Sequence, residues 1–171
     1  MIKLKVSDIN SYLSFKLGEE EFAVNAGRVL SILEMIKITE VPQSPSFMKG
    51  IINLRGRVLP VIDISMKLGM QPTVFTSNTC IVVMEVEMDN TSARLGVIVD
   101  SVQAVIEVEK EKVLDAPKIG SRYKAEFLEG IIQQGDGFIM LFDIDKVFSS
   151  MEIVALTQST PTTLVEQLSD K

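Results

Sequence analysis

GIINLRGRVLPVIDI, residues 50–64, decides how this chain is read. Ile51, Ile52, Leu54, Val58, Leu59, Val61 and Ile62 crowd around a polar knuckle of Asn53, Arg55, Gly56 and Arg57. Val/Ile-rich runs flanking a glycine predict a β-hairpin, because glycine supplies the positive φ of a tight turn. Asn53 and Gly56 are the residues expected to shape that turn. Asp63 stands where the apolar run stops, placed to cap a short helix over 64–68 that Gly69 ends. Pro60 has no N–H to offer a ladder, so an edge or bulge is expected there.

The stretch occurs twice. Residues 47–68, FMKGIINLRGRVLPVIDISMKL, align without a gap on residues 127–148, FLEGIIQQGDGFIMLFDIDKVF. Six of the 22 positions are identical and six more exchange one apolar residue for another. A weaker echo lies upstream, where Phe22, Val24, Val29, Ile32 and Leu33 match Leu95, Val97, Val102, Val105 and Ile106 at an offset of 73. The chain therefore divides into two related lobes, roughly 11–70 and 78–150, followed from residue 152 by a polar tail expected to be loose.

Further strands are expected at 12–17, 21–25, 35–38, 79–88, 92–99 and 103–108, with turns at 17–20 and 88–92. Asn25 is expected to cap a short helical turn over 26–33, and Asp143 one over 144–150. Many short strands with regular turns mean an all-β fold with a few short helices, and duplication suggests two small barrels side by side.

Composition bounds the function. Among 171 residues, 46% are hydrophobic and 23% charged, which is a globular balance with ample core material. The net charge of −6 argues against nucleic acid and against an anionic membrane surface. No apolar run is long enough to cross a bilayer, and no signal peptide is expected from the opening residues. A lone cysteine, Cys80, makes no internal disulfide and suits a reducing cytoplasm as a buried, inert thiol. Histidine is absent, which removes Ser-His and Cys-His nucleophiles and the common imidazole metal sites. No Gly-rich phosphate loop is present, no cofactor or metal is expected, and EVEKEKVLD (107–115) reads as a solvated strand face.

Asp63 and Asp143, each after a hairpin, could be imagined as a shared-proton dyad of a carboxylate hydrolase. That chemistry needs tight loops with small neighbours, whereas Asp63-Ile-Ser and Asp143-Ile-Asp place a bulky residue next in line, as helix caps do. For Arg55 and Arg57 the repeat is an internal control. The second copy has Gly135 and Gly137 at these places, so the turn does not require arginine. A solvated tip and a carboxylate-binding fork both remain open. Unit 47–68 carries a net +3 and unit 127–148 a net −3, a difference suited to head-to-tail contacts. The apolar set Val29, Ile32 and Leu33 with Val102, Val105 and Ile106 reads first as core; should the lobes meet along it, it would line a groove for an amphipathic helix.

Residues 38–69, ITEVPQSPSFMKGIINLRGRVLPVIDISMKLG, resemble the signature region of the CheW-like family of bacterial chemotaxis coupling proteins. FKLGEEEFAVN (15–25), RLGVIVDSVQAVIEV (94–108) and EGIIQQGDGFIMLFDIDKVF (129–148) match the family's flanking and closing segments, so the resemblance spans residues 11–151. It implies two intertwined five-stranded SH3-like barrels and no catalysis. It also implies a cytoplasmic adaptor, recruited to membrane receptor arrays, that joins the helical hairpin tip of methyl-accepting chemoreceptors to the regulatory domain of a CheA-type histidine kinase. The resemblance further implies that the kinase's regulatory domain has the same fold and that adaptor and kinase domain alternate in rings. An adaptor of another kinase pathway, in pilus motility or gene regulation, is the alternative. Carried over by position, Arg55 falls on the arginine tied to receptor coupling. Val29, Val102 and Val105 fall on groove positions, with Ile32 and Leu33 beside them. Ser31 stands where relatives often carry Glu, which leaves Glu34 as a candidate partner for Arg55. Ser65 replaces a frequent Arg.

Overall fold

The computed structural model describes residues 9–88, 91–116, 127–148 and 152. Its strands are β1 (Ile9–Leu17), β2 (Glu20–Asn25), β3 (Val29–Glu34), β4 (Met48–Leu54), β5 (Arg57–Asp63), β6 (Cys80–Met88), β7 (Thr91–Val99), β8 (Ser101–Glu109), β9 (Leu128–Gln134) and β10 (Gly137–Phe142). Single-turn helices α1 (Ile64–Lys67) and α2 (Ile144–Val147) follow β5 and β10. The polar tail expected beyond residue 152 lies outside the described residues.

The strands form two five-stranded sheets, ordered β8-β1-β2-β10-β9 and β3-β6-β7-β5-β4. The first is called sheet A below and the second sheet B. Mapping β1–β5 onto β6–β10 in turn converts one order into the other. The duplication is thus real in space, but the units of packing are not the units of sequence. Each repeat lends its first hairpin to the other's sheet: β1 and β2 join β8, β9 and β10, while β6 and β7 join β3, β4 and β5. The chain crosses between sheets after β2 and again after β7.

Each sheet closes on itself at an equivalent point. Past β3 the chain returns to pair Thr39 with Ile51 of β4, through two hydrogen bonds of 2.9 and 2.8 Å. Past β8 it returns to pair Leu114 with Ile131 of β9, through two of 2.8 Å. The repeated glycine is what lets the backbones meet. A Cβ on Gly50 would sit 2.1 Å from the Thr39 carbonyl oxygen, and one on Gly130 would sit 2.6 Å from that of Leu114. Gly50 also has φ +150. Closure removes the open edge that would otherwise invite another strand.

Three apolar clusters hold the structure. Ile52, Leu59, Val61, Ile81, Val83 and Ile98 fill the inside of sheet B. Tyr12, Ala23, Val108, Ile139 and Leu141 fill the inside of sheet A. The largest cluster lies where the outer faces of both sheets meet, and it includes Phe15, Phe22, Phe142, Ile62, Met84 and Leu95. There the Phe22 and Phe142 rings stack at 4.7 Å between centroids. Fully burying each such side chain contributes about 1.5–3 kcal/mol, so the seam between the lobes is core rather than hinge.

Three local expectations need correction. The segment 26–33 is helical only as a 3-10 turn at Ala26–Arg28, where Asn25 accepts from Gly27 N–H; Val29–Glu34 is strand. The β-branched Val29 and Ile32 favour that strand, and β6 supplies its ladder. The strand expected at 35–38 gives way to the closing segment that ends at Thr39. Pro60 sits in β5, an inner strand, and not at an edge. It lies one residue before β5 begins to pair with β7, so no β7 residue stands opposite it.

Candidate functional site

The two hairpin tips solve one geometric problem differently. In β4–β5 the two-residue turn is Arg55-Gly56, with φ +52 and +81, the type I′ pattern. In β9–β10 it is Gly135-Asp136, with φ +60 at the glycine alone, the type II′ pattern. Gly56 N–H donates to Asn53 Oδ1 at 3.0 Å, which locks the first tip. A non-glycine residue at φ +52 costs about 1 kcal/mol, and the other copy avoids that cost with glycine. Arg55 and Arg57 are exposed and form no hydrogen bond or ion pair among the described residues. Glu34 is exposed on β3 opposite Cys80 and does not pair with Arg55. Ser31 is half-buried opposite Val83 of β6.

Four of the six apolar groove candidates lie on the seam-facing side of their sheets: Val29 and Ile32 stand opposite Met84 and Val82, and Val102 and Val105 opposite Phe15 and Leu13. Val29 and Val102 are partly buried against the seam cluster, and Leu33 against the inside of sheet B. Ile32 and Val105 face outward, 46% and 64% exposed. A bulge in each copy, at Leu30 in β3 and at Gln103 in β8, puts residues three apart, Val29 with Ile32 and Val102 with Val105, on one face. Leu30 is thereby turned out as well, 46% exposed. Sequence reading missed it because a single-residue bulge leaves no mark in an apolar run. β3 and β8 are the outer strands of their sheets, each reached directly from a crossing.

The aspartates are structural. Asp63 is wholly buried, and its carboxylate accepts from Ser65 N–H at 3.1 Å, Thr73 N–H at 2.9 Å and the Thr73 hydroxyl at 3.0 Å. After α1, Gly69 and Met70 N–H donate back to Met66 and Ser65 carbonyls, a Schellman ending with Gly69 at φ +79. Asp143 accepts from Asp145 N–H at 3.2 Å and lies 3.8 Å from Lys146 Nζ. The two carboxylates cap separate helices at the ends of strands in different sheets, so the dyad a hydrolase would need is not built. No group of three or more possible metal ligands occurs among the described residues, and none of the described helices is long and apolar enough to cross a membrane.

Much of the opposed charge of the two repeats is spent internally. Lys67 pairs with Glu152 at 2.7 Å, Asp145 pairs with Arg28, and Tyr12 donates to Glu129 at 2.6 Å. What stays free in solvent is concentrated at the tips, Arg55 and Arg57 on one and Asp136 on the other. Burial, then the Glu129 carboxylate, hold the Tyr12 hydroxyl well above its ordinary pKa. Cys80 is half-buried, with its thiol 3.2 Å from the Asn78 carbonyl.

Comparison with known proteins agrees with this architecture. The CheW-like domain family matches residues 11–152. A probable chemotaxis protein CheW from Rhizobium etli is 35% identical over 140 residues, covering 82% of this chain and 88% of that one. The chemotaxis protein CheW of Klebsiella aerogenes is 32% identical over 143 residues, covering 83% of each. The crystal structure of the scaffolding protein TtCheW from Thermoanaerobacter tengcongensis superposes with a TM-score of 0.74 at 27% identity, covering 84% of this chain and 90% of that one. The family match over residues 11–152, with relatives at 35% and 32% identity, makes this chain a member of the CheW-like family of chemotaxis scaffold proteins.

Proposed function

We propose that this chain is the cytoplasmic adaptor that couples the helical hairpin tip of methyl-accepting chemoreceptors to the regulatory domain of a CheA-type histidine kinase. Arg55 carries the reading. It is exposed, unpaired among the described residues and held at φ +52, in a turn whose counterpart is built with glycine. A side chain kept at a backbone cost the fold does not require is kept for something outside the fold. Its planar donor fork fits a carboxylate on the receptor. Ile32 and Val105 supply exposed apolar anchors of the kind an amphipathic helix requires. Val29 and Val102 lie on the same faces, partly buried against the seam, and Leu33 packs inside sheet B.

The test is reconstitution of kinase, receptor fragment and this protein, reading receptor capture and kinase autophosphorylation. Wild type is expected to bind both partners and raise autophosphorylation. Arg55→Ala and Val105→Asp should each weaken receptor capture about tenfold or more while remaining folded. Val105 is the better apolar probe than Val102, since Val102 also packs on the core. Full capture by both variants removes the assignment of the site, and no capture by wild type removes the adaptor reading.

A further inference from the structure

The two crossings between sheets must satisfy the same pair of backbone groups. Through the registers, Phe15 opposite Phe22 corresponds to Met84 opposite Leu95. Lys16 O and Gly18 N–H of the first hairpin therefore correspond to Glu85 O and Glu87 N–H of β6. At the β7–β8 crossing one residue serves both: Asp100 N–H donates to Lys16 O at 3.0 Å, and its carboxylate accepts from Gly18 N–H at 2.6 Å. At the β2–β3 crossing the residue in that place is Gly27, which has no side chain and gives its N–H to Asn25 Oδ1 at 2.8 Å. Two other residues take over. Arg28 Nη1 reaches Glu85 O at 3.5 Å, and Asp145 accepts from Glu87 N–H at 2.8 Å. Arg28 and Asp145 then pair with each other, 117 residues apart in sequence, at side-chain exposures of 31% and 25%.

We propose that the Arg28–Asp145 pair is a latch that positions the receptor-facing strand β3 without touching the receptor. This rests on the adaptor reading above. Asp145 belongs to α2, which follows sheet A; Glu87 and β3 belong to sheet B. The latch therefore fixes one sheet against the other at the root of β3. Val29 is the next residue after Arg28, the bulge at Leu30 follows at once, and Ile32 lies one turn of the pleat beyond. The other crossing shows that the fold can satisfy the same two groups with a single residue. Beside β3 it takes two residues from different sheets' neighbourhoods, joined by an ion pair. Arg28 and Asp145 are positioning residues: they set where Leu30 and Ile32 stand relative to Val105 on β8.

The experiment measures receptor-fragment affinity, amide exchange at Glu87 and melting temperature for Asp145→Ala, Asp145→Asn and a control, Ile98→Val, which trims the inside of sheet B. Asp145→Ala should speed Glu87 exchange and weaken receptor binding about tenfold. Asp145→Asn keeps an oxygen for Glu87 N–H and should fall between it and wild type. Ile98→Val should lower the melting temperature at least as much and bind as wild type. Unchanged Glu87 exchange or unchanged affinity in Asp145→Ala overturns the latch, as does an equal loss of affinity in Ile98→Val. Failure of wild type itself to bind the receptor fragment overturns the adaptor reading instead.

Discussion

Ile81, Val83 and Ile98 line the inside of sheet B, and at the corresponding places sheet A has Tyr12, Ser14 and Asn25. Both sheets have the same strand order, closing bridge and capped final helix. One interior is aliphatic. The other carries polar groups that each need a partner, since an unpaired buried donor or acceptor costs about 1–3 kcal/mol. Those partners are present: Tyr12 donates to Glu129, Ser14 to Ala104 O at 3.2 Å, and Asn25 accepts from Gly27. A cavity of about 320 Å³, lined by Asn25, Arg28, Glu129, Asp143 and Asp145 among others, opens at that end. The comparison teaches that duplication preserved what closes a sheet and released what fills it.

The closing glycines should show the largest effects. Gly50→Ala meets backbone at 2.1 Å and an unfavourable φ, and is expected to cost about 4 kcal/mol or more by chemical denaturation, or to prevent folding. Gly130→Ala meets the Val113 side chain at 2.5 Å and Leu114 O at 2.6 Å, without the positive φ, and should cost less, about 2–3 kcal/mol. Equal costs would mean that the conformational difference between the two closures is immaterial.

The caps come next. Asp63→Ala removes the acceptor for three buried or half-buried donors and should cost about 3 kcal/mol. Asp143→Ala loses a single cap bond and should cost about 1 kcal/mol. Comparable losses in urea melts would contradict the burial difference between them.

At the tips the expected signs differ. Arg55→Gly should leave stability within about 0.5 kcal/mol of wild type or raise it, because relief of the strained φ offsets the added freedom of the unfolded chain. Gly135→Ala should cost about 1 kcal/mol. A large loss in Arg55→Gly would make that arginine structural and weaken the functional argument.

The effect at Tyr12 is read best in its pH dependence. Its hydroxyl keeps its proton in the folded state to higher pH than in the unfolded chain, so its contribution is complete below the ordinary tyrosine pKa of about 10 and is lost as pH rises beyond it. Tyr12→Phe should cost about 1 kcal/mol at neutral pH and show a shallower loss of stability above about pH 10. Parallel curves for the two proteins would remove the Tyr12–Glu129 bond from the account.

The hairpins, the duplication, the absence of His-based chemistry and the caps at Asp63 and Asp143 were legible along the chain. Each depends on neighbours within a few residues or on a repeat visible by alignment. Gly50 and Gly130 stood out as identical, yet nothing local said that they let a carbonyl from a returning segment approach. The exchange of hairpins between sheets, the bulges that turn Leu30, Ile32 and Val105 outward, and the bond of Arg28 to Asp145 were decided only in the folded molecule. They join residues distant in sequence, and one bulged residue is enough to send every later side chain of a strand to the opposite face.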